Sequence, residues 1–128
     1  MAVVVSRNVL LYAEDSGATT PTLLLQVSVP KGTKEVIRGI TVAAQGESFI
    51  ELVISEDGGD TWQNKLKFLL PAEGTLDLHF TVPLEIEGRS NFTPGEGETV
   101  LTLWELGYVQ PAAQPIHATV YLTRFTYA

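Results

Sequence analysis

The sequence predicts an all-β domain: an antiparallel two-sheet β-sandwich, jelly-roll-like, of about eight strands. Three observations predict it. Apolar residues alternate with polar ones at period two along most of the 128 residues. Clusters of Gly, Pro and acidic residues punctuate the pattern at short intervals. No window carries an apolar stripe at three and four, and β-branched residues and Thr are too dense for a helix.

The strands are expected near residues 3–12, 22–29, 34–43, 48–55, 61–70, 75–82, 99–107 and 116–127. Met1 to Tyr12 opens with Val3, Val4 and Val5. Leu23, Leu25, Val27 and Val29 share one parity against Leu24, Gln26 and Ser28. Ile50, Leu52 and Ile54 oppose Glu51, and Leu76, Leu78, Phe80 and Val82 oppose Asp77, His79 and Thr81. A residue set repeating every second position lines one face of a strand. In 99–107 the apolar residues Val100, Trp104 and Leu106 stand opposite Leu101 and Leu103, so both faces are expected to be partly covered. A short ninth edge piece is placed at Leu84–Glu87. Turns fall at Pro30-Lys31-Gly32, Gln45-Gly46-Glu47, Asp57-Gly58-Gly59-Asp60, Pro71-Ala72-Glu73-Gly74, Pro94-Gly95-Glu96-Gly97 and Gln110-Pro111. By the same parity, most of the aromatic residues belong to the core.

Length and composition bound the function. A chain of 128 residues makes one domain, 1–128, with a core burying roughly two-thirds of the unfolded surface. Residues 1–13 are either its first strand or an N-terminal arm exchanged with a neighbouring chain. Cysteine is absent, which excludes disulfides, cysteine nucleophiles and thiolate metal sites. The net charge of −7 argues against nucleic acid as a partner, since counterion displacement needs a basic stripe. The first residues lack the basic-then-apolar layout of a secretory leader, and no run of about 18 apolar residues predicts a membrane span. Asn91-Phe92-Thr93 matches a glycosylation sequon but is followed by Pro94 and is read as chance.

The sharpest motif is Ser55-Glu56-Asp57-Gly58-Gly59-Asp60-Thr61-Trp62. It resembles the Asp-box hairpin, Ser-x-Asp-x-Gly-x-Thr-Trp, with Ser55, Asp57, Gly59, Thr61 and Trp62 at the fixed positions. Asp57 is placed to accept backbone N–H groups across the loop, the glycines to supply positive φ, and Trp62 to cover the turn. The motif is read as a structural brace. One copy in so short a chain makes no propeller, and the four arginines are scattered. Glu56, Asp57 and Asp60 offer oxygen ligands, yet not at the spacing of an EF-hand loop, so no metal is assigned. Glu85/Glu87 and Glu96/Glu98 are carboxylate pairs of the kind a glycosidase needs across its substrate, and are read instead as solvated loop or edge acids. His79 lies on the polar parity of its strand and His117 opens the last one. Neither has triad partners in the nearby sequence. No catalytic residue and no cofactor is assigned. In the last strand both parities are partly apolar, so Val3 and Val5 with Tyr121, Phe125 and Tyr127 are the candidate interface between chains.

Lys34-Glu35-Val36-Ile37-Arg38-Gly39-Ile40-Thr41-Val42, then Phe49-Ile50-Glu51-Leu52-Val53-Ile54-Ser55 and Asp57-Gly58-Gly59, resemble the layout of small virion proteins of tailed bacteriophages. The later loop Pro94-Gly95-Glu96-Gly97-Glu98 and the closing Val120-Tyr121-Leu122-Thr123 extend that likeness over residues 22–127. The resemblance implies a non-enzymatic jelly roll in a virion: a capsid decoration (cement) protein, or a head–tail or fibre component. It also implies a major capsid or other virion protein as partner, a homo-oligomer (a trimer about a capsid axis), and synthesis in the host cytoplasm. The alternative is a carbohydrate- or receptor-binding module of a fibre, which requires exposed aromatics and would lose glycan binding on truncation of Trp104 or Tyr108.

Overall fold

The computed structural model describes residues 3–88, 90–93 and 97–127. The strands are β1 (Val3–Asp15), β2 (Thr22–Val29), β3 (Thr33–Ala44), β4 (Ser48–Ser55), β5 (Gln63–Leu70), β6 (Gly74–Glu87), β7 (Ser90–Thr93), β8 (Gly97–Val109) and β9 (Ile116–Tyr127). The described residues contain no helix. One sheet has the order β1-β9-β3-β6 and the other β2-β8-β4-β5, with the short β7 alongside β8. Every pairing is antiparallel. Apart from the β4–β5 and β7–β8 hairpins, consecutive strands lie in opposite sheets, which is the jelly-roll connectivity.

The core lies between the sheets and is built mainly by the four inner strands. Ile37, Ile40 and Val42 of β3 and Ala118, Val120 and Leu122 of β9 face Ile50, Leu52 and Ile54 of β4 and Trp104 and Leu106 of β8. Except for Ile37, which the β3 register shift between Ile37 and Gly39 sets three residues from Ile40, these are period-two positions, so the sequence pattern and the packing coincide there.

Two register shifts account for places where simple alternation fails. Between Leu23 and Leu25 the β2 register slips, so Leu23 turns to solvent while Leu24 and Leu25 both pack on the core. In the β3–β6 pairing, Ile37 faces Leu84 and Gly39 faces His79, so 80–83 bulge out of the ladder. Pro83 has no N–H to give the ladder, and Val82, expected on the dry face, is 83% exposed. Leu84–Glu87, expected as a separate ninth strand, is therefore the second half of β6. The short ninth strand is instead β7, in a segment where the sequence predicts no strand.

The aromatic expectation also needs correction. Trp104 and Tyr108 are buried, but Tyr12, Phe49, Trp62 and Tyr121 are among the exposed large side chains.

Candidate functional site

The β4–β5 hairpin carries the Ser55–Trp62 turn. Ser55 ends β4 with its side chain buried, and its hydroxyl donates to Asp57 Oδ1 at 2.7 Å while accepting the Gly59 N–H at 2.8 Å. Asp57 Oδ1 also accepts the Thr61 N–H at 2.9 Å, and the Thr61 hydroxyl donates to Oδ2. Gly58 and Gly59 take φ of 75° and 103°, conformations that side chains resist. Trp62 closes the loop by donating its indole N–H to the Gly59 carbonyl at 3.0 Å. Both Asp57 oxygens are thus committed to protein donors. The Thr61 hydroxyl, the Thr61 N–H and the Ser55 hydroxyl pull its carboxyl down from 3.8 to about 2.

A depressed carboxylate stabilises the fold when ionised, above its unfolded pKa, and that stability is lost as pH falls through the folded value. Stability of the chain is expected to fall as pH drops from 3.8 towards about 2. Asp57→Asn is expected to lower the melting temperature at neutral pH and to flatten the acid limb in this window. Melting curves of the two proteins between these pH values check it; parallel acid limbs would assign the loss to other carboxylates.

A second polar centre lies inside the sandwich. Glu35 of β3 is 1% exposed. Its Oε1 accepts the indole N–H of Trp104 at 2.6 Å from the opposite sheet. Its Oε2 accepts Arg124 Nε at 2.7 Å, with Nη2 at 2.5 Å, from the adjacent strand β9. At the other end of the sandwich, Tyr108 donates to Asp15 Oδ2 at 2.5 Å. Burial, then this bond, push the Tyr108 hydroxyl up to about 12. Near it Gln110, also buried, receives the Ala18 and Gln114 N–H groups and donates to Ser48 Oγ and the Gln114 carbonyl. Among the described residues no buried side-chain polar atom lacks a partner. These groups join one element to another.

The outer faces carry what remains. On the β1-β9-β3-β6 sheet, register aligns Leu10 with Tyr121 and Gly39, and Tyr12 with Thr119 and Thr41. Leu10 is 68% and Tyr12 59% exposed. Thr41 donates to Asp77 Oδ1 at 2.7 Å and lies 3.4 Å from the Tyr121 hydroxyl. His79 lies 3.4 Å from Asp77 Oδ2. His117 packs against the Tyr12 ring with centroids 6.0 Å apart. Of the candidate interface residues, Val3, Val5 and Tyr121 are exposed, whereas Phe125 and Tyr127 are half-buried. Val3 stands opposite Tyr127 in the β1–β9 ladder, and the Lys34 ammonium lies 5.9 Å from the Phe125 ring. Leu10 and Tyr12, on the even parity of β1, make the larger apolar surface. Sequence reasoning weighed only Val3 and Val5 there, although the alternation Asn8, Leu10, Tyr12, Glu14 was the available clue. On the opposite sheet an open groove of about 420 Å³ runs past Leu23, Phe49, Glu51, Lys67 and Val109.

The remaining candidates are placed as follows. Glu85 pairs with Lys34 at 3.4 Å, and both Glu85 and Glu87 are exposed. Glu96 and the Glu98 side chain lie outside the described residues. Trp104 and Tyr108, required by a glycan platform, are 0% and 3% exposed and face the core. The carbohydrate reading therefore loses the two residues on which it was to act.

No protein-family model matches the sequence, and no curated protein matches it. Solved structures do match in shape. A subunit from the work "Bacillus endospore appendages form a novel family of disulfide-linked pili" aligns with a TM-score of 0.56 at 9% identity, over 96% of this chain and 89% of that one. The STIV MCP, a viral capsid protein, aligns with a TM-score of 0.52 at 9% identity, over 96% of this chain. The chain spans only 41% of the capsid protein's length. At such identities the likeness establishes the fold, an all-β jelly roll of two antiparallel sheets, and the fold alone.

Proposed function

We propose that this chain is a non-enzymatic structural subunit of an assembled particle, and specifically a decoration protein that binds the outside of a virion capsid. One observation carries the reading. The polar groups capable of chemistry inside the sandwich (Glu35, Tyr108, Gln110) are each tied to a neighbouring element, while large apolar side chains are left on the outer surface. A body so arranged is fitted to present faces to other proteins. The folds it resembles serve a pilus and a capsid, which agrees with that use. The pilus is described as disulfide-linked, and this chain has no cysteine, so its own assembly would be non-covalent. The net charge of −7 keeps the free subunit soluble before assembly.

The test is co-sedimentation with undecorated capsid shells made from the capsid protein encoded beside it. Saturable co-sedimentation is expected, at a fixed ratio to the shell subunits. Flanking genes without capsid, portal or tail products, together with no shell binding, would overturn the assignment.

A further inference from the structure

We propose that β1 is a pairing edge for a second copy of this chain, joined antiparallel across a two-fold axis so that Arg7 of each copy meets Asp15 of the other. The proposal deepens the structural-subunit reading by naming one partner.

A sheet edge presents unpaired N–H and C=O groups, and natural β proteins blunt such edges. Three of the four outer strands are blunted. In β6 the ladder is interrupted at 80–83, and Pro83 lies there. In β5 the exposed Lys65 and Lys67 guard the edge. β2 is short, slips register between Leu23 and Leu25, and is bounded by Pro21 and Pro30. β1 differs: it is 13 residues long, and from Val5 to Asp15 it holds an unbroken register with β9 without Pro, Gly or Lys. No described strand pairs with its other side. Its outer parity carries Leu10 and Tyr12, both well exposed.

The register follows from charge. Opposed residues in an antiparallel pair share a sheet face, so residues of like parity must meet. Of the like-parity registers, one sets Leu11 against its own copy. It places Arg7 against Asp15, Asn8 against Glu14, and Leu10 against Tyr12, each twice. Shifting so that Leu10 meets its own copy sets Val5 against Asp15 and Arg7 against Ala13. Centring on Tyr12 sets Leu10 against Glu14, and centring on Val9 sets Arg7 against Leu11. Only the first pairs each charge with an opposite or polar group and each apolar side chain with another. Arg7 has no acidic partner among the described residues, and its neighbour across the β1–β9 ladder is Arg124, a like charge. The Asp15 carboxylate of a second copy, half-exposed and with lone pairs left beyond those that accept Tyr108 and Ser16, would relieve that. This contact makes a dimer, not the trimer implied by the phage resemblance.

The chain has no cysteine, so single-cysteine variants report register directly. Val9→Cys, Leu10→Cys, Leu11→Cys and Tyr12→Cys are oxidised gently, with unfolding curves confirming that each folds. Leu11→Cys is expected to give the most cross-linked dimer. Light scattering of the unmodified chain is expected to return the dimer mass. Leu10→Lys, on the exposed parity, and Arg7→Glu are each expected to raise the dimer dissociation constant at least about tenfold. A monomer at all concentrations, a dimer indifferent to both substitutions, or cross-linking strongest at 9, 10 or 12 would overturn the proposal. Shell co-sedimentation is read separately. Dimers that ignore shells keep the β1 contact and sink the decoration reading, and monomers that coat shells do the reverse.

Discussion

Arg124→Met is expected to lower stability by about 3–5 kcal/mol, because it leaves a charged carboxylate inside the sandwich with one indole N–H for company. Glu35 is 1% exposed and touches both sheets, through Trp104 across the core and Arg124 alongside. Removing the acid instead has a smaller expected effect. The Arg124 side chain is about a third exposed, so its guanidinium can turn to water when Glu35 is gone. What remains unpaired after Glu35→Met is the buried indole N–H, at about 1–3 kcal/mol. The double variant Glu35→Met with Arg124→Met is therefore expected to be more stable than Arg124→Met alone, although it carries one more substitution. Urea unfolding of the three variants measures this. A double variant at least as unstable as Arg124→Met would show that the loss comes from Arg124 packing and not from the stranded charge.

That centre also marks where reading the sequence succeeds and where it stops. Alternation located the strands well wherever one face is dry, as in Ile50, Leu52 and Ile54 of β4 or Val120 and Leu122 of β9. Two sheets of four long strands followed from strand number and turn spacing. Glu35 went unseen because alternation treats a carboxylate as a solvent residue. Glu35 shares the parity of Ile37, but Val36, Ile40 and Val42 take the other parity; the register shift between Ile37 and Gly39 puts Glu35 on the core side, and its partners Trp104 and Arg124 are 69 and 89 residues away. The Ser55–Trp62 turn is the opposite case: its donors and acceptors lie within a few residues of each other, so the local pattern contains its geometry. Bulges defeat alternation in a third way. The slip at Leu23–Leu25 inverts the facing along β2, and the excursion at 80–83 lifts Val82 off the dry face before Leu84 and Ile86 return to the core; neither is set by the residues of one strand alone. The edge character of β1 needed the strand order, which no local pattern contains.

Strand order also explains the second large effect, expected at Gly17. Gly17→Ala should cost about 2–5 kcal/mol, from backbone strain and from overpacking together. Gly17 sits at φ 115°, where side chains are strained, and a Cβ there would stand 2.3 Å from Gln114 N and 2.6 Å from its carbonyl oxygen. The neighbour is backbone, so no rotamer change relieves the clash. Nor can the two loops separate cheaply. Gln110 accepts from Ala18 N at 3.2 Å and Gln114 N at 3.0 Å, and its own N–H donates to Ala18 O at 2.9 Å, fastening the β1–β2 connection to the β8–β9 connection. Gly32 provides the control, since it too has a positive φ, 85°, but nothing stands within 4 Å of its added Cβ. Gly32→Ala is expected to show the conformational strain alone, at about 1–3 kcal/mol. The difference between the two measures the closeness of the loops. Hydrogen exchange locates it, with faster exchange expected at the Ala18 and Gln114 amides in Gly17→Ala and unchanged exchange there in Gly32→Ala. Equal losses of stability in the two variants, with both amides still protected, would show that the loops part without cost and that Gln110 does not clamp them.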